Sequence, residues 1–209
     1  MSLRGVSSAR FHEARPQDSA TGATPRIAAV AVRLEPSADE FRVAMRELAG
    51  AVSVISCGEG ERRTGFTATS VTSLCLEPPT LIVCVNRSSS SWPVLRDSRR
   101  FGVNILSASH REVAHRFAGA SGAEGPARYD AGDWITQSSR APLLRDALAA
   151  FECRVEDTIE RGSHAILIGR VEAVRRGEGG GALVYWRGGY DQLGWSTEEI
   201  SNAVGAVRR

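Results

Sequence analysis

Two long stretches near the end of the chain, residues 151–159 and 165–174, alternate apolar and polar residues. A period of two is typical of β-strands with one buried face. The short turn between them contains Gly162, Ser163 and His164, which predicts that the two strands pair antiparallel. The chain is therefore expected to build its core around an antiparallel sheet.

Shorter elements separated by turn residues fill the rest of the sequence. Ser37 and Glu40 form a capping-box pattern and open a helix that is expected to stop at Gly50. A second such pattern, Ser109 and Glu112, predicts a helix through Phe117. A third helix is predicted at 92–98, a loop at 119–130, and strands at 51–57, 62–67, 81–85, 101–106 and 182–186. Many strands and few helices predict an antiparallel barrel, closed or partly closed.

Length and composition predict one domain between two tails. A chain of 209 residues can bury a sizeable core. Residues 1–36 are rich in Ala, Ser, Pro, Gly and Arg without a sustained period, which predicts a disordered or loosely packed leader. The folded domain is expected at 37–196 and a C-terminal tail at 197–209.

Charge and composition exclude several classes of function. The formal net charge of +2 does not indicate binding to nucleic acid or to a membrane surface. All 26 basic residues are arginine, which excludes Schiff-base lysine chemistry. The apolar run at 27–32 is too short to span a bilayer.

The cysteines and histidines show no metal-site pattern. Cys57, Cys75, Cys84 and Cys153 lack metal-ligand or redox spacing, and three of them lie in apolar runs. We expect reduced thiols and a cytoplasmic protein. His110 and His115 are five residues apart, lack metal spacing and are expected to lie on the surface.

A run of small polar residues leads into the strand at 81–85 through Pro78 and Pro79. Small side chains leave backbone amides and carbonyls accessible, which suits a flat ligand with polar edges. A polar edge strand or a hydroxyl-rich loop is the alternative interpretation. The candidate ligand contacts in this run are Thr67, Ala68, Thr69, Ser70, Ser73 and Leu74.

A second polar run precedes the predicted helix at 92–98. A helix N-terminus with clustered hydroxyls and an arginine is suited to binding phosphate. The alternative is an N-capping loop with solvated serines. The candidate residues here are Val85, Asn86, Arg87, Ser88 and Ser91.

These segments together resemble the flavin reductase family, over about residues 41–194. No GxGxxG or Walker A motif is present, so a Rossmann domain is not expected. Gly162, Ser163 and His164, followed by Gly169 and Val171, resemble the family's Gly-Asp-His and Gly-x-Val pattern. Ser163 stands where the family usually has Asp.

The resemblance implies a fold and an activity. The fold would be mostly β, a six-stranded antiparallel split β-barrel of Greek-key type with a few flanking helices. The chain would form a homodimer with the flavin near the subunit interface. It would reduce FMN or FAD with NADH or NADPH and supply reduced flavin to a partner monooxygenase.

The resemblance also implies roles for three single residues. His164 would contact the nicotinamide as the catalytic residue, Tyr190 would stack on a ring, and Phe117 would lie beside the flavin. The alternatives are a structural histidine at a strand start, a core-anchoring tyrosine and ordinary core packing.

Two other functions stay open at this stage. One is a split-barrel flavoprotein that keeps its flavin and reduces another acceptor. The other is a flavin-binding protein without turnover.

Overall fold

A computed structural model describes residues 35–119, 121–136 and 141–194. Almost all of the predicted leader and the whole of the predicted tail lie outside these ranges. Within them, no helix is long and apolar enough to cross a membrane.

Strands dominate the part of the chain that is described. The helices are α1 (Ala38–Met45), α2 (Trp92–Ser98) and α3 (Arg111–Phe117). The first six strands are β1 (Gly50–Ala51), β2 (Ser53–Cys57), β3 (Thr64–Ala68), β4 (Thr72–Leu76), β5 (Pro79–Asn86) and β6 (Arg100–Ile105). The others are β7 (Trp134–Thr136), β8 (Pro142–Leu144), β9 (Ala149–Arg161), β10 (His164–Arg176), β11 (Ala182–Trp186) and β12 (Gly189–Leu193).

The main sheet is antiparallel and has seven strands in the order β3-β2-β6-β9-β10-β5-β4. A three-stranded sheet, β1-β11-β12, and a two-stranded sheet, β7-β8, complete the strands of the described residues. The predicted class, mostly β with flanking helices, is confirmed. The main sheet has one strand more than the six predicted, because Thr72–Leu76 also forms a strand.

The core of the main sheet takes apolar side chains from six of its strands and from α2. Phe101 of β6 lies at its centre and is fully buried. A Cβ added at Gly169 of β10 would lie 2.4 Å from Cζ of Phe101. The glycine of the Gly-x-Val pattern therefore makes room for an aromatic ring.

A second core lies beneath α3. Phe117, Tyr129 and Trp134 pack their rings together with centroids 4.8–5.2 Å apart. Val52 joins the two sheets, since its amide donates to Leu183 of β11 and its carbonyl accepts from Leu106, which follows β6.

The two edge strands of the main sheet are consecutive in the chain. Only residues 69–71 separate the end of β3 from the start of β4. The Ser70 hydroxyl donates to the Cys84 carbonyl and accepts from the Cys84 amide, both at 3.2 Å. This connection is thereby fixed against β5.

The structure corrects two predictions about helices. The Ser37–Glu40 capping box is present, but α1 ends at Met45 instead of continuing toward Gly50. The Ser109–Glu112 box does not form, because a 3₁₀ turn (Ala108–His110) precedes α3 and Ser107 pairs with His110 instead. His110 is therefore buried, at 5% exposure, and is not a surface residue.

Candidate functional site

A cleft of about 660 Å³ opens between the end of β3, α3 and the β11–β12 hairpin. Its volume lies in the range of small-molecule sites. Its lining combines small residues, aromatic rings and one helix face: Val52, Thr67, Ala68, Thr69, Arg111, His115, Ala118, Tyr185, Gly188, Gly189 and Tyr190.

Edge-strand geometry leaves backbone groups available on one wall of the cleft. β3 pairs only with β2, so the sheet does not use the groups on its outer edge. Near the start of β3, the Thr64 carbonyl accepts from the Tyr129 hydroxyl at 2.5 Å. The Thr67 hydroxyl donates to the Ala114 carbonyl of α3 at 2.7 Å. Thr67 thus offers the ligand its backbone, since its hydroxyl already fixes α3 against the strand.

The opposite wall is the β11–β12 hairpin, which two helices hold in place. Arg187 in its turn forms an ion pair with Glu47, just after α1, at 2.7 Å. Arg111 of α3 donates to the Tyr190 carbonyl at 3.0 Å. The Tyr190 ring therefore faces the cleft from a position set by α3.

The charge of the cleft is positive. Its lining contains Arg111 and His115, and none of the described residues that line it is Asp or Glu. Burial, and to a lesser extent the neighbouring Tyr185, raises the pKa of Tyr190, so its phenol stays neutral at physiological pH. The cleft suits an anionic ligand that carries an aromatic ring.

A series of contacts forms a path from the wall of the cleft toward His164. Thr69 lines the cleft, and its neighbour Ser70 is hydrogen-bonded to Cys84 of β5. Asn86 lies two residues farther along that strand, about 7 Å away at the usual rise of a strand. Asn86 is paired with His164 across β5 and β10. Residues from three separate parts of the sequence thus lie along one surface.

The predicted phosphate loop is largely satisfied by its own contacts. The Ser88 amide and hydroxyl both bond to the Asn86 side chain at 2.9 Å. Arg87 forms an ion pair with Glu160 at 2.8 Å and donates to the Gly162 carbonyl at 3.2 Å. Its positive charge is therefore already partnered.

Three predicted contact residues do not present side chains to a ligand. Val85 and Ser91 are 0% exposed and Phe117 is 1% exposed. The Ser91 hydroxyl donates to the Gly65 carbonyl at 2.9 Å, inside the fold. Phe117 is a packing residue of the second core, and Val85 can offer only its backbone.

Three other predicted residues are exposed. Ser73 and Leu74 are exposed on β4, outside the cleft. His164 is exposed at the first position of β10, with Nδ1 2.8 Å from the Ser163 hydroxyl. Ser163 thus occupies the orienting position that an Asp would take in the family pattern.

Among the cleft residues with polar side chains, sequence reasoning missed three: Arg111, His115 and Tyr185. His115 is exposed, as expected, and it also lines the cleft. The four-residue spacing of Arg111 and His115 on a predicted helix was a signal that both lie on one face.

The residues present fit a flavin. An edge strand offers backbone donors and acceptors, tyrosine rings offer an aromatic surface, and the lining carries positive charge without acidic groups.

Comparison with known sequences agrees with this fit. The flavin reductase like domain matches residues 45–194. The FMN reductase (NADH) RutF 2 of Rhizobium rhizogenes is 37% identical over 155 residues, covering 72% of this chain and 88% of that protein. The 4-hydroxyphenylacetate 3-monooxygenase reductase component of Pseudomonas aeruginosa is 37% identical, covering 77% of this chain and 95% of that protein.

Solved structures give the same result. BorF, the flavin reductase component of a bacterial two-component tryptophan halogenase, matches with a TM-score of 0.69 and 32% identity, covering 75% of this chain and 98% of that chain. The NADH:FAD oxidoreductase SgcE6 of Streptomyces globisporus, in complex with NAD and FAD fragments, matches with a TM-score of 0.68 and 27% identity. The match covers 75% of this chain and 92% of that chain. The chain belongs to the flavin reductase like domain family.

Proposed function

We propose that this protein is an NADH-dependent flavin reductase that supplies reduced flavin to a partner oxygenase. The observation that carries the proposal is the cleft together with the contacts that lead from its wall through Ser70 and Cys84 toward His164. The cleft has the volume of a small-molecule site, about 660 Å³, and His164 places an imidazole at the far end of those contacts. Relatives named as NADH-dependent FMN reductases and as a monooxygenase reductase component support the same activity.

The protein's part in the reaction is positioning. The hydride moves between nicotinamide C4 and flavin N5, and this chemistry belongs to the two nucleotides. The outer edge of β3 fixes one polar edge of a planar ring, and Tyr190 provides an aromatic surface. His164 orients the reductant by hydrogen bonding, and Ser163 holds the imidazole at Nδ1. No acid–base residue is required, because holding the two rings close together is the main task.

We further propose that the main sheet curves into a split barrel. The three-residue link between its two edge strands supports this closure, because residues 69–71 can span only about 14 Å at full extension. The N-terminus of α2, which follows β5, also contacts the start of β3, because the Ser91 hydroxyl bonds to the Thr64 hydroxyl at 3.0 Å and to the Gly65 carbonyl.

We also propose a homodimer. α1 has no buried residue; Phe41 within it is 62% exposed, and Leu48, which follows it, is 66% exposed. On β4, Leu76 is 81% exposed. A second copy of the chain would cover these apolar side chains, and sedimentation velocity would give the mass of the assembly. A cytoplasmic location is supported by the four cysteines, all unpaired.

NADH oxidation by the purified protein, followed with and without added FMN or FAD, tests the activity. Oxidation that depends on added flavin supports a reductase that treats flavin as a substrate. Turnover with protein-bound flavin alone, and only when another acceptor is present, would instead indicate a flavoprotein that retains its flavin. Flavin binding with no oxidation above the blank would rule out the reductase. A parallel series with NADPH determines which nicotinamide is used.

A further inference from the structure

Arg111 and His115 lie one helical turn apart on α3, and both line the cleft. Both are exposed, whereas Val113 and Ala114 between them are buried. The side chains of Arg111 and His115 therefore both face the cleft.

Arg111 carries a charge that no carboxylate neutralises in the described part of the chain. Among the described residues its hydrogen-bond partner is the neutral Tyr190 carbonyl, at 3.0 Å. Arg87 and Arg116 differ, because they form ion pairs with Glu160 at 2.8 Å and with Asp130 at 2.9 Å. Glu112 follows Arg111 directly, but adjacent helix residues do not face each other.

A guanidinium has five N–H donors, and the bond to Tyr190 engages one of its terminal nitrogens. The remaining donors match the oxygens of a phosphate, which accept pairs of hydrogen bonds. The His115 ring stands next to the Tyr190 ring, with centroids 4.9 Å apart, so the same helix face brings a second nitrogen donor to the aromatic wall.

We propose that Arg111, with His115 beside it, binds a phosphate group of the nucleotide whose ring lies against Tyr190. This deepens the proposed function and rests on it, since both nucleotides of that reaction carry phosphate. The predicted phosphate loop does not fill this role in the cleft, because the charge of Arg87 is already paired with Glu160.

The test compares ligands with and without phosphate on Arg111→Gln, which removes the charge and keeps a polar side chain. Binding of FMN and of riboflavin is measured by quenching of flavin fluorescence, and binding of NADH and of reduced nicotinamide riboside by nucleotide fluorescence. These titrations need no turnover. Arg96→Gln is the matched control, because Arg96 is an exposed arginine on α2 outside the cleft.

We expect Arg111→Gln to weaken one phosphate-bearing ligand roughly tenfold or more while its phosphate-free analogue binds as before. A loss confined to FMN assigns the contact to the flavin, and a loss confined to NADH assigns it to the reductant. Arg111→Lys should recover part of the affinity, since it keeps the charge without the planar fork.

Equal losses for both members of each pair would show that Arg111 only supports the hairpin and would overturn the proposal. Unchanged binding of all four ligands would also overturn it. A wild-type protein that binds FMN and NADH but does not oxidise NADH would contradict the proposed function, while the phosphate comparison would still decide the role of Arg111. A wild-type protein that binds neither nucleotide overturns both.

Discussion

The ring of His115 stands edge-on to the ring of Tyr190, with their centroids 4.9 Å apart. The ring of Tyr185 also contacts that of Tyr190, with centroids 5.5 Å apart. Tyr190 therefore joins α3 to the β11–β12 hairpin and forms the aromatic wall of the cleft. Its position depends on contacts between segments that are far apart in the sequence.

Tyr190→Ala should weaken flavin binding and lower the Tm, because it removes both ring contacts. Each such contact is worth about 0.5–1.5 kcal/mol. Tyr190→Phe keeps the rings and should behave nearly as wild type in fluorescence titration and thermal unfolding. If the Phe variant lost as much affinity as the Ala variant, the hydroxyl group would be the important part of the side chain.

Glu160→Gln should raise the affinity for FMN, because it frees the guanidinium of Arg87 from its ion pair at 2.8 Å. Both side chains are about half exposed, so the pair contributes at most about 1 kcal/mol and the fold should be little affected. Titrations of wild type, both single variants and the Arg87→Gln, Glu160→Gln double variant form a complete cycle. A gain that persists without Arg87 would show that Glu160 acts by another route.

His164→Ala should impair use of NADH and leave flavin affinity nearly intact, because His164 lies at the end of the path, away from the cleft. A positioning role predicts a raised KM for NADH, and alignment of the hydride path predicts a lower kcat as well. Ser163→Ala, which removes the hydroxyl 2.8 Å from Nδ1, should give a smaller effect in the same direction. Wild-type kinetics in His164→Ala would make the histidine a structural residue.

Gly169→Ala should destabilise the fold by about 1–3 kcal/mol, because the added methyl would overlap the buried Phe101 ring. The measurement is the urea midpoint at constant m-value. Gly189→Ala is the control, since its added Cβ would meet only the Trp186 carbonyl oxygen, at 3.9 Å. Equal stability of the two variants would mean that β10 moves away from Phe101 at little cost.

The free energy of unfolding should fall as the pH rises above 9. Burial raises the pKa of the Cys57 and Cys153 thiols from 9.0 to about 12, so between these values the unfolded chain loses protons that the folded chain keeps. Stability from this source is complete below pH 9 and declines toward pH 12. The Cys57→Ala, Cys153→Ala double variant should show a shallower decline in urea midpoint, and exposed Cys75→Ala should not.

Hydrophobic patterning was sufficient to predict the six strands that supply the core of the main sheet. β9 and β10 could be predicted because buried and partly buried positions alternate in the first half of each strand. β4 gave no such signal, since all five of its residues are exposed. β12 was missed for the same reason, because only Tyr190 in it is partly buried.

The site was harder to predict than the fold, because a ligand surface depends on which groups already have partners. The hydroxyls of Thr67 and Ser91 suggested ligand contacts, yet both bond within the protein. Arg87 looked like a free cation until Glu160, more than seventy residues later, was found beside it. Composition and spacing record residue types, whereas such pairings arise only from the folded topology.

The short link between β3 and β4 couples ligand binding to the stability of the sheet edges. In the split barrel proposed above, these two outer edges of the main sheet meet, so a molecule lying from Thr69 past Ser70 to β5 would span the seam between them. A ligand that binds only the closed form adds its own binding free energy to the cost of parting that seam. Occupancy of the site and cohesion of the sheet edge would then rise and fall together.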